Sequence, residues 1–155
     1  MYLLAILGVI VSVVLMGVIS ETGVESLSSC IDLYSLLLIL IIVIPVMASM
    51  GMLKDLNRAF KFTLGKKQAG SLPDLKRAKL AVTYLIRCSL FAGAVSTLFG
   101  EIQVLAYFRD EPGQLGAGMG VALCSLLYAF VIAIVLLPIE ARLEQKIIEF
   151  MESEG

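Results

Sequence analysis

Four apolar runs govern what this chain can become. Residues 2–19 form an unbroken run of 18, residues 33–53 a run of 21 carrying Pro45 and Gly51, and residues 88–108 and 115–138 two more. About 20 apolar residues in a helix cross the roughly 30 Å hydrocarbon core of a bilayer, so each run is of spanning length. The chain is 59% hydrophobic and 16% charged, with a mean hydropathy of +0.98. A soluble domain holds about 45–50% apolar and 25% charged residues, so a water-soluble enzyme is excluded. The expected fold is all-α: a single polytopic domain over 1–155 with four transmembrane helices.

Other absences narrow the chemistry. The sequence has no histidine, which removes His-based acid–base catalysis, Ser–His triads and His-ligated metals. Its net charge of −1 offers no basic field for nucleic acid. Cys30, Cys88 and Cys124 lie far apart without C-x-x-C spacing and read as small apolar fillers. The first run has neither a basic n-region nor a small-residue cleavage site, which reads as a retained span. No enzyme activity, catalytic residue, metal site or cofactor is expected.

The basic residues set the orientation. Nine of the twelve Lys and Arg lie in 54–87, Arg142 and Lys146 follow the fourth run, and the two remaining loops share only Arg109. The positive-inside rule then places both termini and the middle loop in the cytoplasm. Thirty-four residues are too few to bury a core of their own. The expected course is a helix over 54–63 continuing the second span, a break at 65–70, and a new helix from Ser71 and Pro73 leading into the third span. In the tail, 139–155, Ile139, Leu143, Ile147 and Phe150 recur at helical spacing opposite Glu140, Glu144 and Glu149. That pattern predicts an amphipathic helix, skimming the membrane or packing on a sister subunit. Pro138 is expected to end the fourth span at the cytoplasmic face, where it could break the helix.

The third and fourth spans differ from the bulkier first two. Ser89, Ala92, Gly93, Ser96, Thr97 and Gly100 recur at steps of three and four, and Gly118, Ala122, Ser125, Ala129 and Ala133 do the same. Such stripes let membrane helices approach closely, so Gly93, Gly100, Gly118, Ala122 and Ala129 are expected to pack helices. Packing alone explains one stripe. Two adjacent stripes bearing hydroxyls (Ser96, Thr97, Ser125) beside an intramembrane acid also fit a pore or partner-facing surface. That acid, Glu101, lies about 21 Å along the helix from Arg87 and about 12 Å from Arg109. A carboxylate at mid-membrane costs about 2.5–3.5 kcal/mol on insertion scales, so it faces a cavity or a partner unless it snorkels or is protonated. Asp32, at the outer mouth of the second span, is explained equally by an N-cap.

Together these segments resemble the MotA/TolQ/ExbB proton channel family, and within it the flagellar stator members. Residues 31–37 (I-D-L-Y-S-L-L) are similar to the family's V-D-x-P-S-L-L at the start of span two. Residues 53–60 (L-K-D-L-N-R-A-F) are similar to its L-x-D-L-K-R-A-F at the end. Residues 93–100 (G-A-V-S-T-L-F-G) resemble G-L-L-G-T-L-x-G of span three. Residues 118–128 (G-M-G-V-A-L-C-S-L-L-Y) resemble G-M-A-V-A-L-L-T-T-L-Y of span four, followed by Leu137 and Pro138.

The resemblance implies a homopentamer in the bacterial inner membrane around two copies of a single-span MotB/ExbD-like subunit with a membrane aspartate. Spans three and four would line the inner face, Thr97 and Ser125 would stand beside the partner's aspartate, and Asp32 would lie near the external entrance. The transported proton or sodium ion would drive stepwise rotation; a unit charge falling through 100 mV releases about 2.3 kcal/mol. The chain departs from the family's pattern at several points. The third-span proline is Leu90, the second threonine of span four is Leu126, Glu101 stands at a normally apolar position, and 54–87 replaces the large cytoplasmic domain of flagellar stators. The competing reading is a non-conducting membrane scaffold or accessory subunit that holds a partner helix.

Overall fold

In the computed structural model the described residues are 33–64, 71–107 and 112–153, with Gly8 and Val11 of the first run. The rest of the first run, Asp32, the 65–70 break and the 108–111 turn lie outside them. The described residues are helical throughout apart from short turns, in four elements: α1 (Leu33–Ser49), α2 (Leu53–Leu64), α3 (Leu72–Tyr107) and α4 (Pro112–Ser153).

α3 and α4 form an antiparallel hairpin, with α1 lying against both. At 1.5 Å per residue, helices of 36 and 42 residues run about 54 and 63 Å, well beyond the roughly 30 Å of a hydrocarbon core. Both are long and apolar enough to cross a membrane, and the pair α1–α2 passes the same test if counted as one broken span.

That pair is not one continuous helix, contrary to the expectation for 54–63. α1 ends at Ser49, and α2 leaves at 102° to it. The cause is Gly51, whose φ of 69° lies in the left-handed region that glycine enters without a Cβ penalty. The Gly51 N–H donates to the Ala48 carbonyl at 2.9 Å and the Met52 N–H to the Met47 carbonyl at 3.2 Å. These two bonds make a Schellman cap. Met52 packs on the cluster of Ile39, Val43, Met47, Ala92 and Ala129, supplying the apolar contact that accompanies such a cap.

The second correction concerns the end of span four. Pro138 lies inside α4, which continues to Ser153, so the proline removes one backbone donor without ending the helix. The third concerns the tail. Its apolar row is neither on a membrane surface nor on a sister subunit, but packs on its own chain. Ile139, Leu143 and Ile147 are buried with Leu75, Ala78, Val82 and Ile86 of α3 and Ala59 of α2, and Phe150 packs alongside.

Polar contacts tie these segments together. Lys146 Nζ donates to the Phe62 carbonyl at 2.6 Å and Arg142 Nη1 to the Thr63 carbonyl at 3.2 Å. The last carbonyls of α2, which lack intrahelical partners, thereby receive cations at the negative end of the helix dipole. Lys79 Nζ pairs with Glu144 at 2.7 Å, and the Thr83 hydroxyl donates to the Glu140 carboxylate. Arg58 reaches Asp55 and Asp74 at 3.5 and 3.3 Å. The Lys79 and Arg58 pairs are solvent-facing and contribute little individually; the carbonyl caps and the apolar row fix how α2 sits.

Candidate functional site: the hydroxyl-bearing face of the α3–α4 hairpin

The small residues of α3 and α4 bring the two backbones together. A Cβ placed on Gly93 would fall 2.3 Å from the Ala129 Cβ and 3.1 Å from the Ser125 carbonyl oxygen. One on Gly100 would fall 2.9 Å from the Ala122 Cβ, and one on Gly118 would fall 2.8 Å from Val104 Cγ2. Atoms do not approach so closely, so these glycines set the spacing of the hairpin. Bulky residues point the other way: Phe91, Val95, Leu98, Phe99 and Ile102 of α3 and Leu123, Leu127, Phe130 and Ile134 of α4 are exposed.

Within this contact the hydroxyls are buried. Ser96 is 8%, Thr97 6% and Ser125 3% exposed. Ser96 and Ser125 share an open cavity of about 640 Å³ with Gly100, Gly118, Ala122 and Val104. It lies between the hairpin and the first turn of α1, which contributes Tyr34 and Ser35; Gln103 and Tyr107 complete its polar lining. Ser35, Ile39, Val43 and Met47 form the buried row of α1 at i, i+4 spacing. Ser35 is not among the expected site residues, because the run around it is apolar on every side and hides which face is buried.

Thr97 stands apart from the other hydroxyls. It does not line the cavity, and its Oγ1 is buried with no hydrogen-bond partner among the described residues. A buried hydroxyl left unsatisfied costs about 1–3 kcal/mol, so such an atom calls for an explanation. Glu101 follows Thr97 by one turn and is half-buried, without a hydrogen bond or ion pair to any described residue. The structure thus brings Ser96, Ser125, Gly100, Gly118 and Ala122 to one cavity, keeps Thr97 and Glu101 on its flank, and places Gly93 and Ala129 deeper along the hairpin. Asp32 lies outside the described residues.

Chemically the site is an apolar cleft between helices with a few hydroxyls and one amide. It holds no nucleophile–base pair; what it offers is a low-polarity passage in which hydroxyl oxygens can solvate a small cation or receive a proton-carrying side chain.

Comparison with curated proteins and with solved structures finds no match to this chain. Residues 43–153 match the MotA/TolQ/ExbB proton channel family, a stretch running from the middle of α1 through the end of α4 and containing the whole hairpin. With two helices able to cross a bilayer and most of its length matched, the chain is a membrane protein of the MotA/TolQ/ExbB proton channel family.

Proposed function

We propose that this chain is the ion-conducting subunit of a rotary motor driven by the ion-motive force, a short relative of flagellar stator subunits. In this reading it has four spans with both termini in the cytoplasm of a bacterial inner membrane. It forms a homopentamer around two copies of a single-span MotB/ExbD-like partner whose membrane aspartate carries the proton or sodium ion. Thr97 and Ser125 meet that aspartate, Ser96 and Glu101 line the approach, and Asp32 lies at the external mouth. No bound cofactor takes part.

The observation that carries the reading is the Thr97 hydroxyl. In a family of proton channels, a buried oxygen with no hydrogen-bond partner among the described residues, beside a cleft of further hydroxyls, suits transient bonding to a carboxyl group that comes and goes. The test is gentle extraction together with the partner and native mass spectrometry. The expected result is five copies of this chain with two of the partner; a stable monomer or dimer contradicts it.

The burial of Ser96, Thr97 and Ser125 inside the chain's own packing favours a second reading, a scaffold that conducts nothing. The double variant Thr97→Ala/Ser125→Ala separates the two. A motor keeps its assembly and loses ion flux, whereas a scaffold keeps its function.

A further inference from the structure

Beyond the bilayer-length parts of the hairpin, the charged ends of α3 and α4 present two outer faces of opposite sign. The segment of α3 over 72–87 holds Lys76, Arg77, Lys79 and Arg87 against one acid, Asp74. That acid is engaged within the chain, accepting from Ser71 Oγ and Arg58 Nη1. The segment of α4 over 138–153 holds Glu140, Glu144, Glu149 and Glu152 against two bases. Those bases, Arg142 and Lys146, are both drawn to the carbonyls of α2. In each helix the minority charge is withdrawn by a bond within the chain. The outer face of α3 is left basic (Lys76, Arg77, Arg87) and that of α4 acidic (Glu149, Glu152).

Each face also carries apolar residues that stay exposed among the described residues. Leu80 on α3 is 48% exposed, and Ile148 and Met151 on α4 are 47% and 49% exposed. Lipid tails give no hydrophobic drive to associate, but these residues belong to the charged, water-side segments, where burial is favourable.

The heights match as well. The contacts Gly93–Ala129, Gly100–Ala122, Thr83–Glu140 and Lys79–Glu144 fix one register along the hairpin. In it, each step toward the start of α3 is matched by a step toward the end of α4. Lys76 therefore stands level with Ile147 and Arg77 with Lys146. Glu144 and Glu149 flank that level within a helical turn, about 5 Å. Rotation about an axis parallel to the hairpin preserves height and so brings the basic face of one copy against the acidic face of the next.

We propose that the outer faces of the α3 and α4 water-side segments form a heterologous interface between neighbouring copies of this chain, Lys76, Arg77 and Leu80 of one copy meeting Ile148, Glu149 and Glu152 of the next. Such a head-to-tail contact uses two different surfaces and closes into a ring when the rotation permits, and complementary charge fixes its register and excludes the reversed pairing. The inference rests on the proposed ring and specifies which surfaces build it.

The test uses the full chain with its partner, in a background where Cys30, Cys88 and Cys124 are replaced by Ser. Arg77→Cys and Gln145→Cys in one chain put thiols at the same height on opposite outer faces, too far apart to join within a copy. Oxidation is expected to give a ladder of multimers from the doubly substituted chain, and only dimers when the two singly substituted chains are mixed. Lys76→Glu/Arg77→Glu is expected to reduce the assembled fraction about tenfold or more, and adding Glu149→Lys/Glu152→Lys to restore it. Dimers from a chain with one cysteine would mean an isologous contact and overturn the inference. A ring intact by native mass spectrometry that shows neither cross-linking nor a response to charge reversal overturns it too, yet leaves the motor reading standing. Absence of any ring from the unsubstituted chain removes both.

Discussion

Gly93 and Ala129 touch so closely that a single added carbon on the glycine would sit 2.3 Å from the alanine methyl. The hairpin therefore has no slack at this level. Gly93→Ala is expected to destabilise the protein by about 1–3 kcal/mol, the usual cost of overpacking, and Ala129→Gly in the same chain to recover most of the loss. Thermal unfolding in detergent of the two single variants and the double measures this coupling.

Gly51 turns the chain between α1 and α2 at a φ of 69°. Gly51→Ala places a Cβ in the left-handed region at a cost of about 1–2 kcal/mol. Gly51→Asn is expected to lose less, because a short amide side chain tolerates that conformation. The thermal midpoints of the two variants should fall in that order.

Arg142 and Lys146 cap α2 from a distant part of the sequence. Replacing each by Met keeps the aliphatic stem and removes the cation, with an expected loss of about 0.3–1 kcal/mol apiece from the helix terminus. Hydrogen exchange should quicken in α2 while the amides of the α3–α4 hairpin keep their protection.

Glu101 is half-buried one turn beyond Thr97, without a partner among the described residues. Glu101→Gln preserves size and removes the charge. Ion flux is expected to fall, with assembly by native mass unaltered. Unchanged flux assigns the residue to anchoring at the membrane surface.

Much of the hairpin was legible in the sequence because its signals are local. The recurrence of Gly93, Thr97, Ala122, Ser125 and Ala129 at steps of three and four marks a side-chain-poor face on each helix, and Ser71 with Pro73 announces the start of α3 at Leu72. What escaped depended on tertiary context. A glycine near the end of an apolar run reads equally as a packing residue and as a left-handed cap, and only the bonds of Gly51 and Met52 decide. Pro138 looks like a terminator, yet the helix beyond it is held by burial of Ile139, Leu143 and Ile147, which outweighs one missing donor. The tail row was expected to meet lipid or a second subunit because nothing local announces that α2 folds back beneath the hairpin. Ser35 was missed for a related reason: one hydroxyl in a run of Leu and Ile carries no periodic signal of its own.

If the proposed role holds, and the Thr97 hydroxyl serves ion movement and not the fold, Thr97→Val abolishes transport without loss of stability. Valine has nearly the same shape and removes a buried oxygen that has no hydrogen-bond partner among the described residues, so stability is expected to hold or rise by about 1 kcal/mol. Voltage-driven proton or sodium uptake should be measured in vesicles containing this chain and its single-span partner. Uptake by the parent complex is expected to collapse in Thr97→Val while the complex stays assembled. Full uptake in the variant, or none in the intact parent complex, would contradict it.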